Sequence, residues 1–313
     1  MKWMTPRRGG LALLLALVLA LPIVLVNNYW YEVAIQIALN AIVCVGLNLL
    51  IGYAGQISLG HAGFFGIGAY GTAMLSSHYG MPPIMALLLT NLGVGLLALL
   101  VGRPILRLKG NYLAMATLGM GVIISIIIGT EDKLTGGPDG MSVPPLSLFG
   151  LPLVGEHLWY WLMAFTLVLV VALALNLIES PIGRALRALN GSEVGARVCG
   201  IDATRAKVGI FVLSAVFASF AGSLMAHYSG FITPGKASFF HSIELVAMVV
   251  FGGMSSTFGA VIGAAALTLL PQLLTVLKDY EMVVFGAVMM VTMIFFPRGF
   301  LPSLMQLLAR MRK

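Results

Sequence analysis

The 313-residue chain is 59% hydrophobic and only 9% charged, against about 45–50% apolar and about 25% charged in soluble domains. Those figures exclude a cytoplasmic enzyme, a nucleic-acid binder and a disordered tail. A net charge of +7 and two cysteines, Cys44 and Cys199, supply neither a disulfide framework nor a metal-ligand cluster, so the chain reads as an all-α polytopic protein of the lipid bilayer.

A membrane-crossing helix needs about 20 mostly apolar residues, and charge-free intervals mark the candidates. Gly9 to Tyr31 holds the first span; this stretch also resembles a signal peptide, whose removal would upset the count of spans. Val33 to Gly102 has room for three, broken at Gly52–Gly71 and His78–Pro83. Single spans follow at about 110–129, 158–178 and 208–228. Beyond Lys236 come three more, at 239–252, 259–277 and 282–297, with breaks at Gly252–Gly259 and Lys278–Glu281. The eighth, 239–252, is short and open to a re-entrant reading.

Lys and Arg cluster around residues 2–8, 103–109, 184–207 and 298–313, which together hold fifteen of the eighteen. Cytoplasmic loops carry that excess. Placing the clusters inside gives ten spans, both termini cytoplasmic, and one transmembrane domain over 1–313.

The longest outer loop, Glu131 to His157, contains LTGGPDGM and Val143-Pro144-Pro145. Its Gly, Pro and Asp residues favour turns. It reads equally as a plain surface loop or as a docking surface over a pore mouth, with Thr135, Gly136, Gly137 and Asp139 as the docking candidates.

The cytoplasmic loop 180–207 carries more pattern. Gly191 breaks a helix continuing from the sixth span, Ser192 is an N-cap with Glu193 in the first turn, and Gly200 closes a two-turn helix. Glu193 and Arg197 stand four apart in the favourable order, and Asp202 caps the segment leading into the seventh span. Small residues at Gly195 and Ala196 suit a helix that seats in another protein's groove; the plainer alternative is an amphipathic connector at the membrane surface.

Two Gly-rich breaks interrupt the apolar runs. The segment from Gly52 to Gly68 also carries Gln56, Ser58 and His61, and Phe251 to Gly259 is its shorter counterpart. Irregular backbone at membrane depth occurs only where protein buries it or a cavity faces it. Paired breaks suggest a translocation pathway, whereas Gly60, Gly63, Gly66 and Gly68 fit close helix packing better. Charge within the spans is sparse, Glu244 being the one candidate, which disfavours a proton-coupled carrier. No GxxxxGK[ST] phosphate-binding motif is present, so the motor of any pump is a separate subunit. The five histidines are scattered, without HExxH or paired acids, which argues against an intramembrane enzyme.

The blocks LNLLIGYAGQISLGHAGFFGIGAY (47–70), GNYLAMATLGMGVII (110–124), TGGPDGM (135–141), GRALRALNGSEVGARVCGIDATRAK (183–207), FVLSAVFASFAGSLMAHYSGFITP (211–234) and SIELVAMVVFGGMSSTFGAVIGA (242–264) resemble permeases of branched-chain amino acid ABC transporters, of the M type of the LIV system. The resemblance covers about residues 33–300. It implies the larger, ten-span ABC importer fold in a bacterial inner membrane, a second related permease, two cytoplasmic ATPases and an extracytoplasmic amino-acid-binding protein. The chain itself would bind no cofactor, ATP and Mg being used by the ATPases. Glu193, Gly195, Ala196, Arg197, Gly200 and Asp202 would form the coupling element. Gln56, Ser58, His61 and Thr117 would flank the pathway. The blocks speak less clearly of the cargo: urea, short amides and other amino acids stay open, and a secondary carrier is the more distant alternative. Val194-Gly195 and Val198-Cys199 depart from the more Ala-rich pattern of that family.

Overall fold

The computed structural model describes residues 6–24, 27–148, 151–273, 283, 286, 287, 290, 299–301 and 303. Helices occupy the positions of the first nine expected spans. They are α1 (Pro6–Val24), α2 (Asn28–Asn48), α3 (His61–Ser77), α4 (Pro83–Ile105), α5 (Asn111–Thr130), α7 (Glu156–Glu179), α10 (Ala203–Ser229), α11 (Phe239–Gly252) and α12 (Thr257–Leu273), with the short α6 (Asp132–Thr135), α8 (Pro181–Gly191) and α9 (Glu193–Val198) in loops. Five of the long helices, those starting at Asn28, Pro83, Asn111, Glu156 and Ala203, are long and apolar enough to cross a membrane. The expected tenth span, the break at Lys278–Glu281 and the C-terminal basic cluster fall almost wholly outside the described residues.

α2 forms the centre, with a run from Ala41 to Tyr53 that is buried throughout. It packs on α7, α10, α11 and α12. The tightest seam joins α3 to α10. A Cβ at Gly68 would collide with the Ser219 carbonyl, and one at Gly222 with the Phe65 carbonyl, so only glycine lets the two backbones approach this closely. Gly60, Gly63 and Gly66 likewise have no free space: their added Cβ atoms would meet Thr117, Ile124 and Ala237. Outward faces are apolar. Leu88, Leu92, Leu96 and Leu100 form an exposed stripe on α4 at four-residue spacing, which water would penalise and hydrocarbon accommodates.

Segments gather at two ends. At one end β1 (Met141–Ser142) pairs antiparallel with β4 (Phe231–Ile232), and β2 (Ser147–Leu148) with β3 (Leu151–Pro152). At the other, the basic α4–α5 turn approaches α9, since the Lys109 charge acts on Glu193. The loop over residues 180–207 departs from expectation at one point: α8 does not continue α7. Ser180 is extended, and its hydroxyl accepts from the Gly183 amide, because the residue before a proline avoids helical backbone and Pro181 opens a new helix instead.

Candidate functional site

The loop from Ser180 to Lys207 is built from consecutive caps. The Ser192 hydroxyl accepts from the Gly195 amide at 3.1 Å, and Asp202 Oδ1 from the Arg205 amide at 3.0 Å. Each satisfies a helix-end donor, which is worth about 1 kcal/mol. Gly200 takes φ +80 after α9, a left-handed conformation natural to glycine at a helix end. Glu193 receives Arg197 on Oε1 at 2.6 Å and Lys207 on Oε2 at 2.9 Å. The Lys207 hydrogen bond first, and then the Lys207 charge, the Arg197 hydrogen bond and the Lys109 charge, hold the Glu193 carboxyl below its ordinary range against the opposing effect of desolvation.

The i,i+4 pair with Arg197 was readable from spacing, whereas Lys207 lies fourteen residues on and had no local signal. Its side chain is buried, so Glu193 anchors α9 to the base of α10. Gly195, Arg197, Gly200 and Asp202 face solvent, and only Ala196 turns inward, against Leu189 and Ala203. Val194 and Val198, four apart on one face of α9, are 74% and 84% exposed. They are large apolar side chains that this polar loop leaves bare. In the sequence they stood out only as departures from an Ala-rich pattern.

The two Gly-rich breaks meet. α2 ends in a wide turn over Leu49–Tyr53, with backbone bonds Ala54 N to Leu49 O and Gln56 N to Leu50 O; such a bulge frequently marks a functional position. Against it lies the turn after α11. The Tyr53 hydroxyl donates to the Ser255 carbonyl at 2.6 Å, the Ser255 amide to Asn48 Oδ1 at 3.0 Å, and the Ser255 hydroxyl to the Gly52 carbonyl at 2.6 Å. Ser255 sits at φ +65, a strained conformation for a side-chain-bearing residue. The same Gly52 carbonyl accepts from Asn190 Nδ2 at 2.9 Å, and Asn190 closes α8. One carbonyl therefore joins both breaks to the 180–207 loop. Asn48, Asn190 and Ser255 were not singled out from sequence, because residues 138 and 203 positions apart leave no periodic trace.

The expected pathway residues divide. His61 is 1% exposed, with Nδ1 2.9 Å from the Ser58 hydroxyl and Nε2 2.7 Å from that of Ser214. Both ring nitrogens are engaged, and Phe64 and Phe211 enclose the ring. Thr117 is fully buried; its Oγ1 accepts from the Leu59 amide and donates to the Ala114 carbonyl. Ser58, His61 and Thr117 thus stitch the break onto α5 and α10 rather than face an open path. Gln56, beside the exposed Gly55, is half-buried and bonds the Ala54 carbonyl.

At the opposite end, Thr135 is buried, with its hydroxyl on the Ile128 and Glu131 carbonyls and accepting from the Gly137 amide. Gly136 and Gly137 have φ of +76 and +56, so these three residues shape the turn. Pro138 and Asp139 are the exposed part. The loop is tied down by the β1–β4 pair, by His227 Nδ1 on the Pro144 carbonyl and by the Ser77 hydroxyl on the Ser142 carbonyl.

The model of the family described as branched-chain amino acid transport system / permease component matches residues 29–293. The high-affinity branched-chain amino acid transport system permease protein LivM of Salmonella typhimurium is 35% identical over 92% of this chain and 73% of its own. LivH of Escherichia coli, a permease protein of the same-named system, is 24% identical over 83% of this chain and 90% of its own. The ribose import permease protein RbsC of Haemophilus influenzae is 26% identical over 83% and 82%. No solved structure matches the chain. With both Gly-rich breaks and the whole capped loop inside the matched span, the chain belongs to the branched-chain amino acid transport system permease family.

Proposed function

We propose that the chain is the membrane-spanning subunit of an ATP-driven, binding-protein-dependent importer of leucine, isoleucine and valine. The 35% identity to LivM over nearly the whole chain carries this reading. The likeness to LivH supports a pairing with a second, related permease. In the complete subunit a tenth span follows α12, both termini lie in the cytoplasm, and the membrane is the bacterial inner membrane. Two cytoplasmic ATPases use ATP and Mg; this chain binds neither.

α9 is the coupling element. Val194, Gly195 and Val198 meet the ATPase, and the Glu193–Lys207 pair passes its movement to α10. Asn190 carries the movement of α8 to the junction of the two breaks. The loaded binding protein docks around Pro138 and Asp139. The breaks around Gly52–Gly60 and Gly252–Ser256 re-form as the pathway alternates, and Gln56, Ser58, His61 and Thr117 move with them. The test is co-expression with neighbouring genes for ATPases and a binding protein, followed by reconstitution into liposomes. ATP-dependent leucine uptake is expected; uptake of ribose, urea or an amide in its place overturns the cargo, and uptake without ATP overturns the class.

A further inference from the structure

The end opposite the cytoplasmic loop holds a cavity of about 130 Å³ between the start of α2, the end of α10 and the start of α11. Its wall carries charges of both signs. Lys236 enters from the α10–α11 connection, Glu32 from α2 and Glu244 from α11. Leu39, Phe65 and Met225 supply apolar surface beside them. Gln36 Nε2 lies 3.4 Å from Glu32 Oε1, and His241 Nδ1 lies 3.2 Å from Glu244 Oε2. The other ring nitrogen of His241 is buried without a hydrogen-bond partner, and Lys236 makes no ion pair among the described residues. Glu32, Lys236 and Glu244 stand exposed at the mouth of this space, where water solvates them, while the buried His241 nitrogen is left without a partner, and a ligand carrying both signs of charge can match all of them at once. The volume lies below the roughly 300–1,000 Å³ of drug-sized pockets, which sets the occupant at amino-acid size.

We propose that this cavity receives the cargo as a zwitterionic α-amino acid with an apolar side chain. Lys236 takes the α-carboxylate, Glu32 and Glu244 take the α-ammonium, and Leu39, Phe65 and Met225 pack the side chain. A simple cation would leave Lys236 opposed, and an anion would meet two carboxylates. Specificity then resides partly in the permease, beyond whatever the binding protein selects. This inference rests on the amino-acid reading of the cargo.

The test uses the whole complex with its ATPases. In liposomes at saturating leucine-loaded binding protein, Lys236→Gln lowers leucine moved per ATP split at least tenfold, while Lys236→Arg restores most of it. In detergent without binding protein, a diazirine analogue of leucine labels peptides containing Phe65 or residues 225–244. Excess leucine competes with the label, and 3-methylbutylamine, which lacks the carboxylate, does not. Wild-type transport per ATP in Lys236→Gln, or labelling confined to other segments, overturns the site. A wild-type complex that moves no amino acid sinks the cargo reading instead, and the proposal with it.

Discussion

Gly195 shows how one position separates folding from partnership. A Cβ there meets only Ser192, at 3.4 and 3.5 Å, ordinary contact that leaves this chain undisturbed. Gly195→Trp is therefore expected to insert at wild-type levels and to reduce binding-protein-stimulated ATPase activity of the assembled complex to its unstimulated rate. Normal stimulation removes α9 from the coupling role. Glu193 adds a pH dependence. Its carboxyl is held below the ordinary value of 4.5. A depressed folded pKa contributes stability that is complete above the unfolded value and is lost as pH falls through the folded one. Amide-exchange protection over residues 193–200 should thus persist from pH 7 to below 4.5 in the wild type. In Glu193→Gln it should be weaker across that whole window; equal protection in the two proteins shows that the pair with Lys207 does not hold the loop.

Among the elements, what could be read beforehand was local. Caps at Ser192 and Asp202, the Glu193–Arg197 spacing and the glycine at 200 obey rules that span four residues, and the structure contains each of them. The start of α8 differs from the continuous helix expected, and Ser180-Pro181 is the local reason. The packing glycines were legible as a class, but what each one faces depends on a segment more than fifty residues away. That seam permits a sharp comparison. Gly222→Val forces the α10 backbone off the Phe65 carbonyl, and overpacking of this kind costs about 1–3 kcal/mol. Gly119 on α5 has nothing within 4 Å of an added Cβ. The melting temperature of the purified subunit should fall by several degrees for Gly222→Val and hold for Gly119→Ala; equal effects of the two would mean that α3 and α10 are not in close contact. The junction of Asn48, Gly52, Asn190 and Ser255, like the charged cavity, was illegible because each is assembled from chain segments with no shared period.

The whole molecule has a built-in reporter of its orientation. Cys199 is exposed at the end of α9, while Cys44 is buried. A membrane-impermeant maleimide is expected to label Cys199 in inverted vesicles and to leave intact right-side-out ones unlabelled. Bound ATPase subunits should protect it severalfold. Labelling from the outer face would reverse the topology read from the basic loops.

α2 and α11 share both of their ends. Each carries acids of the outer cavity near its start, Glu32 and Glu244, and each terminates at the Gly52–Ser255 junction. α11 is 14 residues long, about 21 Å at 1.5 Å per residue, so on its side the two places are joined by a rod shorter than the hydrocarbon core of roughly 30 Å. If the two sites bias one conformational equilibrium through these shared members, their linkage is symmetric. Whatever factor an ATPase seated on α9 applies to the affinity of the outer cavity for cargo, cargo in that cavity must apply to the affinity of the permease for the ATPase. The subunit would then register an arriving amino acid at its cytoplasmic face before any nucleotide is split.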